Sequence, residues 1–202
     1  MKYLPKLKER IMKVLVIDDT SVHLDAALQT LDGHNVTICS NHEEARKLLA
    51  THQWDAVLCD LLMPAGGYMQ GPDGQKFVGQ EMAVGWALAL TAAQNGVKYV
   101  AVVTDMNHHN HPGSAMLDPF SKHVFTIDGA RVLMTNEGGM VGIAGTEFAC
   151  EECSGTGKAR RRDGSPYECC YCRGGGVKHK DKGKNWGEIL KALLSDDKEY
   201  HG

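Results

Sequence analysis

Lys13-Val14-Leu15-Val16-Ile17-Asp18-Asp19 is the stretch whose reading decides the fold of this chain. A short apolar, β-branched run ending in acids is the pattern of a buried parallel strand whose C-terminal end opens into a site. Ser21 to Leu31 follows with Val22, Ala26, Leu28 and Leu31 at near-helical spacing, and Asp32-Gly33 is a stop signal. A strand-helix unit results.

The unit recurs along the chain. Asn35 to Cys39 reads as a second strand, Asn41 as the cap of a helix from His42 to Thr51 with Glu44 three residues on, and Ala56 to Cys59 as a third strand ending at Asp60. Pro64 to Gly79 is Gly-rich with few core residues and reads as a long loop; Glu81 to Asn95 reads as a helix closed by Gly96, and Lys98 to Thr104 as a fourth buried strand. A polar, His-rich loop spans Asp105 to Phe120. His123 to Asp128 and Arg131 to Thr135 then flank Gly129-Ala130 as a hairpin candidate, with Arg131 to Thr135 the fifth sheet strand. This alternation predicts an α/β fold with a doubly wound, five-stranded parallel sheet in the order 2-1-3-4-5. Trp186 to Leu194, with Ile189, Leu190, Leu193 and Leu194 on one side, supplies a last amphipathic helix that can complete the domain. Trp54, Trp86 and Trp186 read as packing residues.

The chain has 202 residues, 43% hydrophobic and 23% charged, with a formal net charge of -3. These values suit a soluble globular protein with one main core and at most one appendage. No apolar run approaches the roughly 20 residues of a membrane helix. The basic opening MKYLPKLKER has no apolar stretch or small-residue cleavage site, so a cytoplasmic location is expected.

Asp18 and Asp19 follow strand one and Asp60 ends strand three, and in a 2-1-3 sheet those ends are neighbours. Carboxylates packed so closely repel one another, and a hard divalent cation such as Mg2+ relieves that repulsion. Val-Leu-Val-Ile17-Asp18-Asp19, Asp60-Leu-Leu-Met63-Pro64 and Val-Val-Thr104 resemble the receiver domain of two-component response regulators. The resemblance spans about residues 12 to 137 plus the last helix. It implies Asp60 as phospho-acceptor, Asp18, Asp19, Asp60 and the Leu62 carbonyl as the Mg2+ site, and Thr104 as the sensor of the phosphoryl group. It also implies a histidine kinase among the protein partners and a face for homodimerisation. Receivers end their fifth strand in Lys-Pro, whereas Asn136-Glu137 stands here and Lys122 is badly placed to substitute.

Cys150-Glu-Glu-Cys153-Ser-Gly155-Thr-Gly157 and Cys169-Cys170-Tyr-Cys172-Arg-Gly174-Gly-Gly176 are two copies of C-x-x-C-x-G-x-G. Each pair can present two thiolates to one ion, and two pairs close a tetrahedral zinc site. In a segment with almost no aliphatic residues that site would supply the folding energy. The repeat resembles the cysteine-rich zinc domain of DnaJ-type co-chaperones, which implies Cys150, Cys153, Cys169 and Cys172 as zinc ligands and Cys170 as a spare thiol; no His-Pro-Asp signature accompanies it. Cys39 and Cys59 read as buried core thiols. The resulting division is a receiver-like domain over residues 1–148, completed by a helix at 185–195, and a zinc-binding insertion over 149–184.

Several functions stay open at this point. The first is a regulatory protein, not an enzyme in the ordinary sense, whose phospho-acceptor Asp60 acts through protein contacts of the zinc module. The second is a degenerate receiver serving as a scaffold or as a nucleic-acid-binding adaptor through Arg160, Arg161, Arg162 and the lysines at 178, 180, 182 and 184. The third is a metal-dependent phosphohydrolase using Asp18, Asp19 and Asp60 with the loop from His108 to His111.

Overall fold

In the computed structural model, which describes residues 10–66, 75–121, 123–136 and 138–195, the apolar opening run is β1 (Lys13–Ile17), buried from Val14 onward. The chain continues through α1 (Ser21–Thr30), β2 (Asn35–Cys39), α2 (His42–Thr51) and β3 (Ala56–Asp60). The Asn41 side chain accepts from the Glu44 N–H at 2.8 Å and donates to Glu44 Oε2 at 3.1 Å, an N-cap that fixes where α2 starts. Beyond β3, the two-residue strands β4 (Met63–Pro64) and β5 (Glu81–Met82) pair with each other and gather the base of the Gly-rich loop. Helix α3 (Val84–Gln94) therefore begins later than the apolar pattern from Glu81 suggests, because Glu81 and Met82 are taken up in β5. Next come β6 (Tyr99–Val103), a single helical turn α4 (Pro112–Ala115), β7 (Phe125–Ile127) and β8 (Ala130–Thr135).

These strands form one mostly parallel sheet in the order β2-β1-β3-β6-β8-β7. The expected sheet of five parallel strands gains a sixth: Asp128 (φ 48°) and Gly129 (φ 83°) make a tight turn with both central residues left-handed, which folds β7 back antiparallel along the edge of β8. After β8 come β9 (Met140–Gly142), β10 (Glu147–Ala149), β11 (Lys158–Arg160), β12 (Pro166–Glu168), β13 (Val177–His179) and β14 (Lys182–Lys184). The chain then enters α5 (Trp186–Leu194).

Strand side chains alternate between two cores. Val14, Val16, Leu58, Ala101, Val103 and Leu133 point to the face covered by α1 and α5, where Trp186, Ile189, Leu190 and Leu193 are buried. Leu15, Ile17, Val57, Cys59, Val100 and Val102 point to the face covered by α2 and α3. Each large apolar side chain buried in this way contributes roughly 1.5–3 kcal/mol. Trp54 and Trp86 are half-buried against the second core, and Cys39 and Cys59 are buried thiols within it. Among the described residues no helix is long and apolar enough to cross a membrane.

Candidate functional site: an acidic pocket and a four-cysteine cluster

The carboxyl ends of β1, β3 and β6 lie side by side, with Ile17 beside Cys59 and Asp60 beside Val103. This register brings Asp18, Asp60 and Thr104 to one edge. Carboxylate oxygens of Asp18, Asp19 and Asp60 come within 4.8 Å of one another. Asp18 and Asp60 are buried and Asp19 is exposed. Helix α3 closes in from the side: its Gly85 N–H donates to Leu61 O at 3.0 Å. A Cβ on Gly85 would collide with the carbonyl of Asp60, so only glycine admits this approach. Leu62 is buried two residues beyond Asp60, and the buried Thr104 accepts the Met106 N–H at its Oγ1 (3.1 Å).

The pocket also contains a lysine, and it comes from the far side of the cysteine segment. Lys184, the last residue of β14, places Nζ 2.7 Å from Asp18 Oδ2, 2.8 Å from Asp60 Oδ1 and 3.9 Å from Asp105 Oδ1. This lysine stands not at the end of the fifth strand, where Asn136 is, but directly before the last helix. Lys184 accordingly leaves the group of surface lysines to which its sequence neighbours assigned it. Asn136 serves elsewhere, donating to Asp118 Oδ1 at 2.7 Å; Lys122 and Glu137 lie outside the described residues.

Electrostatics follow from this burial. Desolvation pushes the Asp60 carboxyl up to about 6, against the pull of Lys184 and with help from Asp18. Burial disfavours the Lys184 ammonium, but the charges of Asp60 and Asp18 outweigh it and hold the group above its ordinary value. Asp19 is raised by partial burial and then by the neighbouring Asp18. The Asp60 contact is one of charge: Oδ1 is close to Nζ but has no partner in hydrogen-bond geometry. Asp18 is tied at both oxygens, since Oδ1 accepts the Thr20 N–H at 2.9 Å.

His23 of α1 braces the lysine. Its Nδ1 accepts the Lys184 backbone N–H (3.2 Å), which leaves the ring proton on Nε2, 3.4 Å from Asp105 Oδ2; its carbonyl accepts the Trp186 indole N–H at 2.9 Å. The hydrogen bond from His23 is the main reason that Asp105 is held down at about 2. Gly183 lets β14 lie against α1, for a Cβ there would strike Ala26 and the Val22 carbonyl. Neither His23 nor Lys184 carries a local sequence signal for this role; the one hint is that Lys184 immediately precedes the cap of the helix that completes the domain.

The His-rich loop builds a separate cluster. His108 Nδ1 lies 2.9 Å from Asp118 Oδ2 and His108 Nε2 lies 2.9 Å from His109 Nε2, while His111 Nδ1 accepts the Gly113 N–H at the start of α4. Among the described residues no histidine belongs to either of the two groups of prospective metal ligands. The expected partnership of these histidines with Asp18, Asp19 and Asp60 is not what the fold builds, because Asp118 and Asn136 hold His108 to its own loop.

The second group is Cys150, Cys153, Cys169 and Cys172, whose sulfurs all lie within 4.8 Å of one another. Cys150 Sγ and Cys169 Sγ are 3.9 Å apart, and Cys153 Sγ and Cys172 Sγ are 3.7 Å apart. Four thiolates at about 2.3 Å around one tetrahedral ion would be separated by about 3.8 Å, so the cluster fits zinc, whereas a disulfide needs about 2.05 Å. The two repeats are joined reciprocally: the Cys169 N–H donates to Gly157 O and the Cys150 N–H to Gly176 O, each at 2.9 Å. A Cβ on Gly157 would strike the Gly174 carbonyl and one on Gly176 the Gly155 carbonyl, which explains the second glycine of each repeat. Gly176 N–H also donates to Cys172 Sγ at 3.3 Å. Cys170 is exposed and outside the cluster.

At the tip, β11 and β12 pair and expose Arg160, Arg161 and Arg162, with Arg161 over the Tyr167 ring and Lys178 over the Tyr171 ring. Comparison with protein-family models, with curated proteins and with solved structures finds no match for this chain.

Proposed function

We propose that this chain is a receiver-like regulatory protein in which Asp60 accepts a phosphoryl group and the four-cysteine module, holding a structural Zn2+, makes the protein contacts of the output. The observation that carries the reading is the Lys184 ammonium lying 2.7–2.8 Å from both Asp18 and Asp60 at the carboxyl edge of the sheet. That lysine supports the reading by supplying a positive charge beside Asp60.

Asp60 acts as nucleophile in its ionised form. One of its carboxylate oxygens forms a bond to phosphorus, the bond from phosphorus to the leaving oxygen of an acyl phosphate, or to the leaving ring nitrogen of a phosphohistidine, breaks, and the leaving group keeps the electron pair. Lys184 then shifts from carboxylate to phosphoryl oxygen, a contact a single ammonium can make without losing Asp18. Thr104 hydroxyl stands at the neighbouring strand end to sense the new oxygens. Three carboxylates, Asp18, Asp60 and Asp105, lie within 4.0 Å of one ammonium, and Asp19 adds a fourth negative group. This surplus suits Mg2+ held by Asp18, Asp19 and Asp60 with the Leu62 carbonyl, and such an ion would neutralise charge on the incoming phosphoryl group. The exposed Asp19 is the donor least committed to other partners.

The test is intact mass after incubation with acetyl phosphate and Mg2+. A single phosphoryl adduct that is absent from Asp60→Asn is the expected result. No adduct on the wild type, with zinc still bound, sinks the reading and leaves a pocket that serves only to hold the fold.

A further inference from the structure

The cysteine cluster and the acidic pocket are the two ends of one antiparallel ribbon. Its outer rung is the hydrogen bond from Cys150 N–H to Gly176 O. Next come β10 and β13, in register from Ala149 beside Val177 to Glu147 beside His179. Lys180 N–H to Thr146 O (2.9 Å) and Ile143 N–H to Asp181 O (3.0 Å) carry the ladder across a bulge. It resumes in β9 and β14, from Gly142 beside Lys182 to Met140 beside Lys184, and ends where Asn185 N–H meets Gly139 O at 2.7 Å. Apart from the bulge at Ala144 and Gly145, pairing runs from Cys150 at the cluster to Lys184 in the pocket.

A two-stranded ribbon is marginal by itself in water. The outer half of this one buries little: Phe148 and Val177 are each 45% exposed. The inner end is braced on α1 through Gly183 and the bond from Lys184 N–H to His23 Nδ1. The outer end rests on the cluster of four sulfurs and on the reciprocal hydrogen bonds that join the two repeats. We propose that a thiophilic divalent cation bound by Cys150, Cys153, Cys169 and Cys172 positions Lys184 in the acidic pocket, so that metal occupancy sets how well Asp60 takes up a phosphoryl group. The phosphoryl half rests on the receiver reading above; the positioning of Lys184 rests on the ribbon alone.

The test uses the full chain in three states: as purified with zinc, stripped with a thiol-reactive mercurial and chelator and then returned to Mg2+, and reloaded with Zn2+ or Co2+. Backbone hydrogen exchange reads the ribbon, and phosphate incorporation from acetyl phosphate reads the pocket. Stripping is expected to speed exchange at residues 182–187 by about tenfold while β1 and β3 stay protected. Phosphate incorporation should slow by roughly fivefold or more, the smallest change a coupling of this kind usually gives. Reloading restores both, with thiolate-to-Co2+ absorption bands confirming the ligands. Lys184→Met should be slow in all three states.

Unchanged exchange at 182–187 after stripping overturns the proposal, as does failure of the cysteines to take up either metal. Loss of protection in β1 and β3 together with the ribbon also overturns it, in favour of a metal that merely holds up the fold. Exchange that follows the metal in a chain that never takes up phosphate leaves the positioning of Lys184 standing and brings down the receiver reading instead.

Discussion

At the scale of the residue, burial raises the Asp60 carboxyl well above the ordinary carboxylate range. Asp60 titrates at about 6 in the fold against an ordinary 3.8. A raised folded value means that its stabilising contribution is complete below about 3.8 and is lost as pH rises through about 6. Asp60→Asn has no such titration. The stability of the wild type relative to that variant should therefore fall by about 2–3 kcal/mol between about pH 4 and about pH 7.5, at about 1.4 kcal/mol per tenfold change in proton affinity. Urea unfolding of both proteins across that range measures it, and a difference independent of pH would show that Asp60 is not desolvated. Asp105 runs the other way: held down at about 2, it contributes stability that is present above about 3.8 and lost as pH falls through about 2. Asp18, Asp19 and Asp60 were legible in the sequence because they stand at the ends of apolar runs, whereas Asp105 read only as the start of the His-rich loop. Lys184 was not: it closes a series of alternate lysines at 178, 180, 182 and 184, and only the packing of β14 on α1 distinguishes the one that turns inward.

At the scale of the element, the contact that matters is β14 against α1. Gly183 has no room for a side chain there, whereas Gly139, on the partner side of the ribbon, has open space around the position of a Cβ. Gly183→Ala should lose about 1–3 kcal/mol, the usual cost of forcing a methyl group into a packed contact. Gly139→Ala should stay within about 0.5 kcal/mol of the wild type. Equal melting of the two variants would mean that β14 is not tightly seated. The long elements could be read directly because alternation and near-helical spacing recur over whole strands and helices. Strands β9 to β14 have three residues each, too short for a periodic pattern, and only the two cysteine repeats signalled that the segment was structured at all. Strand β7 escaped as a sheet member for a related reason: a hairpin was visible at Gly129-Ala130, one residue beyond the actual turn, but not which edge it would extend.

At the scale of the whole molecule, the insertion separates two parts of one domain that must still meet. Lys184 and α5 lie beyond the cysteines in sequence, yet Trp186 is fully buried against the sheet and Lys184 fills the pocket. The module is therefore tied into the core by the chain segment that leaves it. If its contribution to the pocket is only to keep the ribbon closed, a different closure should do as well. Ala149 and Val177 face each other across β10 and β13. Replacing residues 150–176 by Asn-Gly would join them through a two-residue turn of the kind that matches the twist of paired strands. The shortened chain should unfold cooperatively with a native-like Trp186 emission, bind no zinc, and in Mg2+ incorporate phosphate at close to the wild-type rate whether or not zinc is present. A shortened chain that folds with Trp186 buried but no longer takes up phosphate would mean that the cysteine module acts on Asp60 by some route other than the position of Lys184.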